Sequence, residues 1–247
     1  MKNSIYITFR LKGFICCTLA FLLGLSSVLL IFSQEETSSA VGAVAVMKRT
    51  VIIDAGHGGG DGGTQSSDGT LEKDINLQIS LKLEKILKLM GFETVMIRTE
   101  DKLICSDECD TVRERKVSDL NNRLEIVRSF PGAVFVSIHQ NYFTESKYSG
   151  AQVFYSPNNE NSKALAESLQ QSIVSRIQND NNRKIKKSGD DIYLLKKIEG
   201  PAVMVECGFM SNPSESLKLK DEAYQKELAL SIAAGLTDYY SDIQEEI

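Results

Sequence analysis

Only two histidines occur in the 247 residues, and both close a run of aliphatic or β-branched residues: VIIDAG leads into His57 and VFVSI into His139. A third such run, PAVMV, leads into Glu206, and Glu72 opens a long amphipathic segment beyond the Gly-rich loop that holds His57. Two imidazoles and a carboxylate match a catalytic zinc site, where three protein groups hold the ion and the fourth tetrahedral position is left for water. A second carboxylate nearby can accept a proton, while zinc lowers the pKa of its water toward about 7 and stabilises an oxyanion at an attacked carbonyl. The four residues lack the compactness of an H-E-x-x-H motif, so they make a site only if the fold gathers them. The loop GHGGGDGG itself fits neither G-x-G-x-x-G nor G-x-x-x-x-G-K-[ST], which turns attention from its glycines to its imidazole.

Each residue also has a purely structural reading. His57 can be a loop histidine satisfied by a backbone carbonyl, and His139 a core histidine bonded to Asp54 or Ser137. Glu72 can simply complement the positive end of a helix. Glu206 resists such an account, because a carboxylate that follows five apolar strand residues loses much solvation unless it is paired or metal-bound.

The elements that must position these groups can be read from periodicity. Segments 50–56, 93–99, 133–139, 151–156 and 201–206 are short, rich in β-branched residues and bounded by Gly or Pro, as buried strands are. Between them lie helical stripes. Ile75, Ile79, Leu83, Ile86, Leu87 and Met90 fall on one face, with Gly91 placed to end the helix in a left-handed conformation. Leu165, Leu169, Ile173 and Ile177 form a second stripe, and Tyr224, Leu228, Ile232, Leu236 and Tyr239 a third. Strands alternating with helices imply right-handed crossovers and an α/β domain whose largely parallel sheet is covered on both faces. In such sheets the ligand site lies outside the carboxyl ends of the strands, where His57, His139 and Glu206 are expected.

Composition narrows the class. With 42% hydrophobic and 25% charged residues the chain can build a core, so one domain with a terminal extension is expected. The net charge is −5, and removing the +3 of Lys2, Arg10 and Lys12 leaves 25 basic against 33 acidic residues, an acidic body that argues against a nucleic-acid partner. Residues 13–32 are an uncharged apolar run of 20 residues behind a basic flank, long enough as a helix to cross a bilayer. Residues 1–32 are therefore expected to be a membrane anchor or a cleaved signal peptide, residues 33–47 a tether, residues 48–241 the catalytic domain and residues 242–247 a tail, with the body exported. Outside the leader, Cys105, Cys109 and Cys207 make an odd count and no disulfide framework; Cys105 and Cys109 form a local bridge or stay free thiols.

Taken together, VIIDAGHGGGDGG, LEKDINL, SIHQN and VECGFMSNPSE resemble the zinc-dependent N-acetylmuramoyl-L-alanine amidases of the type-3 amidase fold, which cleave bacterial peptidoglycan; the resemblance spans residues 49–241. It implies His57, Glu72 and His139 as Zn2+ ligands, Glu206 as the catalytic acid/base, and a mixed, mostly parallel sheet flanked by helices. The portion RERKVSDLNNRLEIV is similar to the subgroup that processes spore cortex, which implies action outside the cytoplasmic membrane, on wall or between the spore membranes. Tyr142 and Phe143 depart from the small residue that commonly follows Asn141, and would narrow the cleft or stack on a sugar. Peptidoglycan is then the substrate, some relatives need an activator protein, and the membrane is a partner if the N-terminal segment is uncleaved.

The implied reaction is hydrolysis of the amide between the lactyl group of N-acetylmuramic acid and L-alanine of the stem peptide. Glu206 accepts a proton from water and passes it to the leaving nitrogen. Two other classes compete: a zinc peptidase acting on wall peptides, and a non-catalytic wall-binding scaffold. Cys207 beside Glu206 suggests a thiol nucleophile, but strand alternation points neighbouring side chains to opposite faces.

Overall fold

The computed structural model describes residues 49–106 and 109–245; the apolar run at 13–32 and the tether at 33–47 lie outside them. Among the described residues no helix is long and apolar enough to cross a membrane. Six strands form one sheet: β1 (Thr50–Ala55), β2 (Glu93–Met96), β3 (Val134–Asn141), β4 (Gln152–Tyr155), β5 (Lys186–Lys187) and β6 (Ala202–Phe209), in the order β2-β1-β3-β6-β4-β5. β2, β1, β3 and β6 run parallel, whereas β4 is antiparallel to β6 and carries β5 beside it. The helices are α1 (Glu72–Leu89), α2 (Val112–Arg128), α3 (Asn161–Ile177), α4 (Tyr193–Lys197), α5 (Pro213–Lys220) and α6 (Glu222–Glu245). The tail expected at 242–247 thus begins inside α6.

Strand alternation splits the core into two layers. Val51, Ile53, Val136, Val203 and Val205 pack with Ile79, Leu83, Leu169 and Ile232 on the face covered by α1, α3 and α6. Ile52, Phe135, Ala202 and Met204 meet Leu124, Leu195 and Ile198 on the face covered by α2 and α4. Because both faces are buried, β1, β3 and β6 read as continuous apolar runs rather than alternating ones. The three expected helical stripes are buried apart from their ends: Ile86, Ile177 and Tyr224 are partly buried, and Met90 is 41% exposed because it caps α1 instead of joining its apolar face. Gly91 follows with φ +83°, the left-handed turn that stops the helix.

Two elements near the site were not apparent from periodicity. α2 shows no clean apolar stripe, since its buried residues include Asp119 and Arg123, and its start is set by a capping box between Thr111 and Glu114. β5 is only two lysines long at a sheet edge. The strands around the site also run further than expected: β3 ends at Asn141 and β6 at Phe209, so His139 and Glu206 sit inside strands and pair in register. Between them and the next pair, Asn141 and Phe209, β6 carries one extra residue, an irregularity of the kind that re-aims side chains near sites.

α3 and α6 approach closely at Gly235, where an added Cβ would lie 3.0 Å from Leu169 Cα. Gly235→Val should therefore force the helices apart and lower unfolding free energy by about 1–3 kcal/mol. Urea denaturation followed by circular dichroism reads this directly; an unchanged midpoint would mean that the contact yields freely.

Candidate metal centre

The loop after β1 delivers His57 in an unusual backbone state, φ +62°, among the described residues the only non-glycine with positive φ. Such a conformation is disfavoured for a residue with a Cβ and persists only where its surroundings over-determine it. Two buried guanidiniums do so. Arg98 Nε donates to Ala55 O at 2.8 Å and its Nη2 to Gly56 O at 3.0 Å, while Arg123 donates to Ala55 O at 3.1 Å and to His57 O at 2.8 Å. Arg123 also pairs with Asp54 and, through Nε at 2.7 Å, with Asp119. Asp54 in turn accepts from Ser137 at 2.6 Å. Against the penalty of burial, Arg123 and Ser137 hold the Asp54 carboxyl below its usual range.

Glu72 is the hub. It is the first residue of α1 and almost wholly buried, so its role exceeds that of an exposed charge at a helix end. Oε2 accepts from Thr64 N at 2.9 Å; Oε1 accepts from Gln140 N at 3.0 Å and Asn76 Nδ2 at 3.2 Å. Oε1 is also 3.0 Å from His139 Nδ1 and 3.3 Å from His57 Nε2. Neither structural reading of the histidines matches these contacts: Asp54 and Ser137 bond to each other, and His57 contacts carboxylates rather than a carbonyl. The imidazoles meet edge to face, centroids 4.9 Å apart.

The glycines make this crowding feasible. A Cβ at Gly56 would stand 2.2 Å from His139 Nε2, and one at Gly63, itself at φ +68°, would stand 2.5 Å from Glu72 Oε2. The glycines at 56 and 63 thus let backbone press against the side chains of His57, Glu72 and His139.

His57, Glu72 and His139 offer one ligand atom each within 4.8 Å of one another. Tetrahedral zinc with arms of about 2.0–2.1 Å separates its ligand atoms by about 3.3 Å, close to the 3.0 and 3.3 Å seen at Glu72 Oε1. Two neutral imidazoles and one carboxylate are also a donor set that zinc takes in hydrolytic sites. The residues present therefore fit the ion.

Asp61 is a participant that sequence reasoning missed. Its Oδ2 lies 3.0 Å from His57 Nδ1, the arrangement in which a carboxylate orients a metal-ligating imidazole. The signal was available as the one acid inside the glycine run. Although burial opposes it, hydrogen bonding to Asp61 and Glu72 raises His57 to about 9. Glu72 shifts the other way, held below the carboxylate range by both histidines despite its burial. Glu206, the register neighbour of His139, is raised to about 7: burial pushes it up, aided by the Glu72 charge and opposed by His139, His57 and Arg183. Its Oε2 is buried and makes no hydrogen bond. Cys207 faces the opposite core layer, fully buried, and burial raises its thiol well above the usual range, which removes it as a nucleophile. Cys105 and Cys109 are free thiols, not a bridge.

Comparison with known proteins agrees with this geometry. A family model described as N-acetylmuramoyl-L-alanine amidase matches residues 51–238. The germination-specific N-acetylmuramoyl-L-alanine amidase of Bacillus subtilis (strain 168) is 30% identical over 227 residues, covering 91% of this chain and 94% of that protein. Among solved structures, the CwlD amidase of Clostridioides difficile, in complex with the GerS lipoprotein, is 42% identical with a TM-score of 0.75, over 78% of this chain and 98% of that one. The amidase AmiC2 of Nostoc punctiforme is 31% identical with a TM-score of 0.68, over 78% and 98%.

Zinc needs a neutral imidazole, and His57 in the metal-free protein is protonated below about pH 9. Zinc affinity should therefore rise by about tenfold per pH unit from 7 towards 9 and then level off, with proton release seen by calorimetry in buffers of different ionisation enthalpy. Asp61→Asn should flatten that dependence and weaken binding about 10–100-fold at pH 9. Affinity independent of pH and of this substitution would remove Asp61 from the site.

Proposed function

The chain belongs to the N-acetylmuramoyl-L-alanine amidase family, and from that membership we propose that it hydrolyses the amide joining the lactyl group of N-acetylmuramic acid to L-alanine of the peptidoglycan stem peptide. One observation carries the reading: Glu206, whose Oε2 is buried without a hydrogen bond, lies in register with His139, and His139 clusters with His57 and Glu72 from two other segments.

His57, Glu72 and His139 would hold zinc. When bound, zinc supplies Lewis acidity to the attacked carbonyl and makes water more acidic. The chain's own residues do the rest. Thr64, Asn76 and the Gln140 N–H keep the Glu72 carboxylate in place, and Asp61 orients His57. A carboxyl near 7 exchanges protons readily at neutral pH, so Glu206 takes the proton of the attacking water and delivers it to the alanine nitrogen as the amide breaks. No covalent intermediate is needed. Tyr142 and Phe143, each about half exposed just after β3, offer apolar faces at the rim on which a sugar ring can stack.

The chain acts on cell wall outside the cytoplasmic membrane, consistent with the apolar run at 13–32 as anchor or signal, a tether at 33–47 and a catalytic domain at 48–241. Likeness to the germination-specific amidase supports a role in spore cortex, and the lipoprotein complex of the Clostridioides difficile relative supports an activator protein as a further partner.

Glu206→Gln keeps the shape but cannot accept a proton, so it should retain zinc while turnover falls at least about 100-fold. His57→Ala and His139→Ala should lose both zinc and activity. Metal analysis together with mass spectrometry of digested muropeptides reads these outcomes. Whole stem peptides released from intact glycan fit the amidase; cuts within peptides would instead make the chain a peptidase.

A further inference from the structure

If Glu206 protonates the alanine nitrogen, the departing peptide lies on the Glu206 side of the scissile bond, away from the ligands on the loop after β1, on α1 and on β3. In strand order the next elements are β4 and β5. Gln152 of β4 is the register partner of Glu206, so the two side chains share a face of the sheet. Gln152 uses both ends of its amide to hold the adjoining segment: Oε1 accepts from Arg183 Nη2 at 2.5 Å and Nε2 donates to Lys184 O at 2.8 Å. The Arg183 guanidinium lies over the Phe209 ring, 4.9 Å from its centroid, and its Nε is buried without a hydrogen bond. A buried cationic donor without an acceptor is costly, so the position asks for one. Alongside is a polar cavity of about 540 Å³ whose walls include Arg183, Lys147, Tyr148 and Asn212. Of its acids, Asp180 and Glu215, the latter is committed to the Gly150 and Phe209 N–H groups at 2.8 Å each.

Resting on the amidase reading, we propose that Arg183 recognises a free carboxylate of the stem peptide one residue beyond L-alanine. That residue is joined onward through its side-chain carboxyl, which leaves its α-carboxylate ionised and near the cut. A guanidinium fork matches a carboxylate in two-point geometry, and Gln152 and Phe209 have already removed much of the freedom such a fork would lose on binding. Arg183 is thus a specificity-determining residue for the leaving peptide, separate from the groups that hold zinc or move the proton.

The test uses the zinc-loaded full chain and two probes: the tripeptide beginning L-Ala-γ-D-Glu, and the same peptide with its α-carboxylate converted to the amide. By calorimetry the acid should bind about tenfold or more tighter than the amide, the scale of one charge-assisted contact. Arg183→Gln should reduce that preference to less than about twofold while leaving amide affinity unchanged; Arg183→Lys, which keeps charge but loses the fork, should retain only part of it. Zinc content and thermal midpoint verify that each variant is folded, and the Lys variant carries the test if the Gln variant is not. Equal affinity for both peptides, no binding of either, or an undiminished preference in a folded variant overturns the proposal. Digestion of glycan separates this from the amidase reading: release of stem peptides without the preference sinks only the Arg183 assignment, whereas the preference without release sinks only the amidase.

Discussion

Everything at the site depends on how the carbonyls of residues 55–57 are gripped by two buried arginines. Arg98, which follows β2, and Arg123, on α2, converge on the end of β1 and the loop after it. Buried charge is expensive, and the expense is met here because Arg123 is neutralised by Asp54 and Asp119 while both guanidiniums also donate to backbone carbonyls at the end of β1 and in the loop after it. Removing one partner of such a pair typically costs about 3–5 kcal/mol, enough to hold His57 in a backbone state that a histidine would otherwise leave. Strain at His57 and order in the arginine cluster are two aspects of one arrangement.

From that fixed loop the remaining geometry follows through short links. Asn76 donates both to Gly56 O and to Glu72, so α1 is registered against the same loop that carries His57. Glu72 then accepts from the backbone of Gln140, which registers β3 and hence His139. β3 pairs with β6 and β6 with β4, so Glu206 and Gln152 are placed by sheet register alone. Placement by parallel strands is stiff because each is buried on both faces, and a one-residue slip would send Glu206 into the apolar layer that holds Cys207. The imidazole side chains remain about one-fifth exposed while the Glu72 carboxylate between them is sealed.

Much of this arrangement is legible in the linear chain. Continuous apolar runs specify β1, β3 and β6 because strands buried on both faces need no polar alternation, and the stripes of α1, α3 and α6 follow from packing one helix face on that sheet. His57, His139 and Glu206 stand out because polar groups that end such runs carry a desolvation cost demanding an explanation. Glu72 stands out more weakly, as the first residue of the helix after the Gly-rich loop, since many helices begin with a glutamate; the roles expected of all four come through family resemblance. What only the tertiary structure decided are the partnerships between distant segments. Arg98 and Arg123 look like ordinary surface cations in sequence, and α2 hides its function because its buried face mixes the ionic pair Asp119 and Arg123 with the apolar Leu124 and Val127. Asp61 is one acid among glycines until the loop folds it onto His57, and Arg183 acquires meaning only when β4 pairs with β6 beside it. Hydrophobic periodicity is local and survives in a linear string; the pairing of buried charges depends on which strands become neighbours, which the string does not express.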